Sequence, residues 1–219
     1  MITIAGNPEQ AGNDNGPVYQ ATFNNPHDLD MTPDGTIYVA DRFGHQIRKI
    51  TPDGIVSVLA GTGEEGDLDG PADQAMFNEP WGLCVSDDGT VYVADTRNNK
   101  IRVISPDGQV STLVGTGNFG ANDGLGTSVS MGNPTGVDFG LDGHLYVADH
   151  LTHVIRRVEL NGTVTTIAGL PFLPGAIDGV GIGARFHRPY GIGIDPVTGD
   201  ILVADEHNHR IRRVTTEGN

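Results

Sequence analysis

Twelve charged side chains recur in register along the chain, and they raise the first chemical question. Asp41, Asp95, Asp149 and Asp205 each close a Val-Ala-Asp run, and Arg48, Arg102, Arg156 and Arg212 each stand seven residues further on. Asp14, Asp69, Asp123 and Asp178 align in glycine-rich loops. Clustered carboxylates could hold a hard cation, and Asp67-Leu68-Asp69-Gly70 has the Asp-x-Asp-Gly form of a calcium loop. Such an ion takes about six to eight oxygens, more than the one to three carboxylates or amides of each loop. No cofactor is therefore expected, with calcium the candidate if there is one. Residues repeated in every copy are expected to serve the framework. The aspartates would accept backbone N–H groups in the tight turn that follows them. The arginines would tie neighbouring repeats together, where one missing partner is costly.

Residues that differ between copies are the better candidates for function, above all on loops. After the recurring prolines Pro26, Pro80, Pro134 and Pro189 come His27, Trp81, Thr135 and Tyr190. After the recurring aspartates come Arg42, Thr96, His150 and Glu206, with Arg97 and His207 beside them. Trp81 and Tyr190 are expected to anchor a ligand, with His27, Arg42, Arg97, His150, Glu206 and His207 around them. The occupant would be a protein segment, a glycan or a small molecule. Of the eight histidines, His45, His153 and His209 share one position with Asn99, which marks them as structural. There is no HExxH, no paired Cys-x-x-Cys and only one cysteine, Cys84, so no metal or catalytic residue is assigned. Cys84 lies in a strand-like run, where a buried thiol is expected.

These residues must be positioned by a repeated element. IYVAD (37–41), VYVAD (91–95), LYVAD (145–149) and ILVAD (201–205) recur, and the prolines stand at intervals of 54, 54 and 55. Each repeat reads as four short strands, rich in β-branched residues and separated by Asp-Gly or Asn-Gly turns. Four strands per unit of about 40–50 residues is the pattern of a propeller blade. Blades are expected at 24–61, 78–115, 132–169 and 187–219 plus 1–6, in one all-β domain over 1–219. The last repeat stops at TTEGN (215–219), and the chain opens with MITIAG (1–6). Joined, these match VELNGTVTTIAG (158–169). The amino-terminal strand is therefore expected to complete the last blade and close the ring.

The segment DEHNHRIRRV (205–214) resembles the Asn-His-Leu signature of NHL repeats, with Arg210 in place of the leucine. DRFGHQIRKI (41–50), DTRNNKIRVI (95–104) and DHLTHVIRRV (149–158) are looser copies. The resemblance covers nearly the whole chain and implies a propeller of four-stranded antiparallel blades. Such propellers usually have six blades, whereas four repeats are present. A closed monomer is favoured, with a piece of a larger propeller and copies pooling their blades as the alternatives. Fold alone does not give activity. The resemblance implies a binding scaffold, and as an alternative a metal-dependent hydrolase or lyase of the lactonase-like kind.

Composition narrows the partners. The 219 residues carry 13 basic and 28 acidic side chains, a net charge of −15. That charge repels phosphate backbones and excludes nucleic acid as the expected partner, although some NHL domains bind RNA. No apolar run approaches the roughly 20 residues that span a membrane. Met1 opens a strand-like run rather than a basic leader, so the chain reads as soluble, with no compartment assigned.

Overall fold

A computed structural model describes residues 2–218, and its regular elements are short strands and single 3-10 turns. Blade one comprises β1 (Gly16–Pro17), β2 (Pro26–Met31), β3 (Ile37–Asp41), β4 (Gln46–Ile50) and β5 (Ile55–Ala60). Blade two comprises β6 (Gly70–Pro71), β7 (Pro80–Val85), β8 (Val91–Asp95), β9 (Lys100–Ile104) and β10 (Gln109–Val114). Blade three comprises β11 (Gly124–Leu125), β12 (Pro134–Phe139), β13 (Leu145–Asp149), β14 (Val154–Val158) and β15 (Thr163–Ala168). Blade four comprises β16 (Pro189–Ile194), β17 (Ile201–Asp205) and β18 (Arg210–Val214). The arrangement is all-β, a four-bladed propeller set of antiparallel sheets. None of the described helices is long and apolar enough to cross a membrane.

Blades one to three add an outer strand that the repeat pattern did not foretell. Their order is β1-β5-β4-β3-β2 and its equivalents, so a two-residue strand from the preceding loop flanks the fourth strand. The chain gathers into two compact units, Met1–Asn98 with Arg102–Ser111, and Asn99–Ile101 with Thr112–Asn219. In the first, Tyr38, Ala40 and Ile47 pack with Phe77, Leu83, Val91 and Val93 in a closed apolar cluster. In the second, Tyr146, Ile155 and Ala168 pack with Phe186, Ile201 and Val203. Phe77 and Phe186 are buried and fill the gaps between adjacent blades within each unit.

The recurring aspartates and arginines are buried framework, with partners that correct the sequence reading. Asp41 Oδ1 accepts the Asn24 N–H at 2.7 Å, and Asp95, Asp149 and Asp205 do the same for Asn78, Gly132 and His187. These donors precede the first strand of the same blade, not the turn to the third. The second oxygen takes the arginine: Arg48, Arg102, Arg156 and Arg212 donate Nη1–H at 3.1, 2.7, 3.0 and 3.0 Å. Each arginine also donates to carbonyls of the long loop leading into its own blade, such as Asp14, Leu68, Asn122 and Ile177. The arginines therefore pin the incoming loop onto their own blade rather than linking blades. Asp69, Asp123 and Asp178 are absorbed in the same way, as ion-pair partners of Arg102, Arg156 and Arg212. Burial pushes Asp95 and Asp149 up to about 6, opposed by Arg102 and Arg156.

Links between blades come instead from the position shared by His45, Asn99 and His153. Each sits in the left-handed region, at φ 51°, 53° and 65°, and ends the turn after the second strand. Their side chains accept the N–H of the residue before the next recurring proline: Glu79 at 3.2 Å, Asn133 at 2.9 Å and Arg188 at 3.1 Å. Asp28 and Asp30 add bonds from the Leu83 and Val85 N–H groups, and Asp138 from Ile194.

The expected completion of blade four is corrected. Its sheet has three strands, and residues 2–6 lie in no strand. The Gly6 N–H instead bonds the Val18 carbonyl at 2.8 Å, and Ala5 packs beside Val18 and Phe23 in the first unit. Met1 and Asn219, the junction residues of the expected seam, lie outside the described residues.

Candidate functional site

The variable residues sit where the backbone is bent. Between Pro26 and Asp28, Pro80 and Leu83, Pro134 and Val137, and Pro189 and Ile192, the pairing of the first strand shifts register. A bulge of this kind re-aims the side chain it carries. Here it carries His27, Trp81, Thr135 or Tyr190. The short turn after the second strand carries Arg42 in blade one, Arg97 in blade two, and Glu206 and His207 in blade four. The eight candidate residues divide four and four between the units.

In the first unit all four converge. The Arg42 guanidinium lies 3.9 Å over the Trp81 ring centre and 4.4 Å over Phe43. The His27 ring meets Trp81 edge-on at 4.4 Å between centres. Arg42 Nε and Nη2 both donate to Glu79 Oε2, at 3.0 and 2.5 Å. Arg97 Nε lies 3.5 Å from Glu79 Oε1, and its side chain is 53% exposed. Glu79 has φ 49° and its N–H bonds His45, so the inter-blade link also aims this carboxylate. Burial raises the Glu79 pKa, but hydrogen bonding and charge from Arg42, then Arg97, outweigh it and hold the carboxyl below its ordinary value. Burial and the neighbouring Arg42 charge lower the His27 pKa, so its imidazole is neutral at pH 7. The result is a stacked aromatic and guanidinium platform, held in place by an ion pair, with one exposed cation, Arg97, paired to the same Glu79. Such a surface can stack on a planar or ring-shaped group while Arg97 meets a carboxylate.

In the second unit the candidates form a separate cluster. His150 Nδ1 lies 3.3 Å from the Pro189 carbonyl and 4.0 Å from Glu206, and its ring stands 5.7 Å from Tyr190. His207 Nε2 is 3.9 Å from Glu206, and its ring is 4.8 Å from that of His187. His187 in turn is 5.6 Å from His153. Burial lowers the pKa of His150 and of His153. Among the described residues, no three His, Cys, Asp or Glu side chains form a group able to hold a metal ion. Cys84 is buried.

Sequence reasoning missed Phe43, Glu79 and His187 as members of these clusters. The signal for Glu79 was present: the residue before the recurring proline is Asn25, Glu79, Asn133 or Arg188, as varied as the residue after it.

A family model described as NHL repeat matches residues 23–50, 77–104 and 186–214. The NHL repeat-containing protein 2 of Bos taurus is 29% identical over 237 residues, covering 93% of this chain and 32% of that protein. The chain thus spans about a third of that curated relative. Among solved structures, virginiamycin B lyase from Staphylococcus aureus superposes with a TM-score of 0.61 at 18% identity, covering 89% of this chain and 53% of that one. An auxiliary nutrient binding protein from Bacteroides thetaiotaomicron gives 0.68 at 20% identity, covering 85% and 46%. At these identities the structural likeness is one of fold.

Proposed function

The chain belongs to the NHL-repeat family, and from that premise we propose that it is a binding scaffold whose platform of Trp81, Arg42, His27 and Arg97 engages a protein segment. The observation that carries this reading is the contrast within one framework. Asp41, Asp95, Asp149 and Asp205 are spent on identical internal bonds, whereas Trp81, Arg42 and Glu79 occur together in one place and are ordered by one another. An aromatic ring already stacked and an arginine already paired lose little side-chain freedom on binding. The fitting ligand is an extended segment with a proline or aromatic residue near a carboxylate. The ring would lie on the Trp81–Arg42 stack, and the carboxylate would meet Arg97. A glycan or a small ring-shaped molecule would use the same stack.

A random peptide library and a glycan array, probed in parallel with the full chain, test this. Peptides with an acidic residue beside proline or an aromatic are expected to enrich. Trp81→Ala and Arg97→Ala should each lose at least tenfold in affinity with unchanged far-ultraviolet circular dichroism. Enrichment that survives both substitutions would overturn the reading. Glycan capture alone would replace the segment with a sugar.

The alternative, a metal-dependent hydrolase or lyase, draws on the fold shared with virginiamycin B lyase, and His150, half-buried beside Tyr190, is the side chain through which to probe it. Its signature would be a thermal shift on adding zinc or calcium that His150→Ala abolishes.

A further inference from the structure

Blades two, three and four complete their arginine hub with an aspartate from the incoming loop, whereas blade one uses an amide. Gly16, Gly70 and Gly124 pair with Val56, Val110 and Val164, so the residues before them stand at one position. Those residues are Asn15, Asp69 and Asp123, with Asp178 before Gly179 in blade four. Asp14, which the sequence places in that series, instead matches Leu68, Asn122 and Ile177, whose carbonyls receive the arginine of their own blade. Arg102, Arg156 and Arg212 bring Nη2 to the carboxylates of Asp69, Asp123 and Asp178 at 2.6, 2.9 and 2.7 Å. Arg48 Nη2 donates to Asn15 Oδ1 at 2.9 Å in the same way. An amide thus sits where three carboxylates sit, with the contact kept and the charge missing.

Asn15 is followed by a glycine, and its surroundings favour one reaction. With no Cβ on Gly16, little hinders the approach of its backbone nitrogen to the asparagine Cγ. Asn15 is exposed to water. Gly16 pairs with Val56 in a strand of two residues, so a local opening is enough to release its nitrogen. When that nitrogen bonds Cγ, negative charge gathers on Oδ1, the atom to which the buried Arg48 guanidinium already donates. A fixed cationic donor at the oxygen that becomes charged lowers the barrier. The chain's other Asn-Gly pair, Asn161-Gly162, is the internal control. Its Oδ1 accepts the neutral Thr163 N–H at 2.8 Å, and its Nδ2 donates to the Glu159 carboxylate at 3.3 Å, so a negative group faces that amide. The Gly162 N–H is held by the Glu159 carbonyl at 2.8 Å.

We infer that Asn15 is a site of spontaneous deamidation, and that the aspartate formed completes the hub of blade one. The Gly16 nitrogen bonds Cγ, and its proton leaves with the side-chain nitrogen as ammonia. The ring that results is a succinimide. Water then breaks the bond between the Gly16 nitrogen and Cγ, giving its hydroxyl to Cγ and its hydrogen to the nitrogen. The new carboxyl ionises, so one amide and one water become one carboxylate and one ammonium. The product pairs with Arg48 as Asp69 pairs with Arg102, and a hydrogen bond to a charged acceptor is about twice as strong as one to a neutral acceptor. Breaking the ring at its other carbonyl gives isoaspartate, whose lengthened main chain disturbs the pairing of Gly16 with Val56.

Isotope labelling tests the inference on the unmodified full chain. The protein is incubated in heavy-oxygen water at neutral pH and digested, and tandem mass spectrometry reads the label at each Asn-Gly pair. Label at Asn15 is expected to accumulate roughly tenfold faster than at Asn161, a part of what one fixed donor contributes in a water-excluded oxyanion site. In concentrated urea, where Arg48 no longer faces Asn15, the two rates should converge. Asn15→Asp is expected to melt above the wild type, by a margin that shrinks with added salt. Asn161 labelled as fast as Asn15 in the folded chain, or a ratio of rates that urea leaves unchanged, overturns the site. An Asn15→Asp protein that melts below the wild type overturns the completed hub.

Discussion

Each strand-three arginine serves as a buried hub, and Arg102 makes the rule most explicit. Its guanidinium reaches Asp95, Asp69 and the carbonyls of Leu68 and Met76, all inside one blade. Removing one partner of a buried pair strands the other charge, at a cost of about 3–5 kcal/mol. Arg102→Ala should lower the urea midpoint accordingly. The pH dependence follows from Asp95, which burial already holds up at about 6. Between the unfolded carboxylate value near 3.8 and about 6, the folded protein binds more protons than the unfolded chain. Its contribution to stability therefore declines as pH rises through that window. Without Arg102 the aspartate is pushed higher still, so the loss in Arg102→Ala should be larger at pH 8 than at pH 5. Equal losses at both would mean that the charge pair is not the source of the effect.

At the level of elements, a side-chain acceptor at a left-handed position links successive blades beside the Asp28, Asp30 and Asp138 bonds, and the chain contains its own control. Asn99 performs in blade two what His45 and His153 perform in blades one and three. His153→Asn should therefore keep the link, and His153→Ala should lose about 0.5–1.5 kcal/mol. The two also differ from the wild type in acid. Burial lowers the His153 pKa, so below 6.5 the unfolded chain takes up the proton first, and stability falls as pH falls. Thermal melts at pH 7.5 and 5.5 should show a smaller acid loss for His153→Asn than for the wild type. Much of this level was legible in the sequence. The Val-Ala-Asp runs and Asp-Gly turns located the strands, and recurrence separated Asp95 from Trp81. What was not legible depends on contacts across tens of residues. The acceptor of the Glu79 N–H is 34 residues away, and the partner of Asp69 is 33 away. No local spacing rule carries such pairings. The closing strand was misread because ITIAG fits a fourth strand by local pattern, and pattern does not carry the long-range pairing that would make it one: residues 2–6 lie in no strand.

For the molecule as a whole, two properties follow from the repeat. The framework aspartates and arginines are held by internal bonds, and the positions that escape repetition gather into one cluster in each unit. The charge of −15 disfavours anionic partners in general. A carboxylate-bearing ligand must therefore be recognised locally, at Arg97, rather than drawn in by the overall field. The chain's one tryptophan is Trp81, which makes its fluorescence a report on the platform alone. The decisive measurement is a titration of the library-selected peptide into the full chain, following tryptophan emission alongside calorimetric heat. Occupancy of the Trp81–Arg42 stack predicts an emission change that saturates at the calorimetric affinity. Calorimetric binding with emission unchanged throughout would place the ligand elsewhere and contradict the assignment.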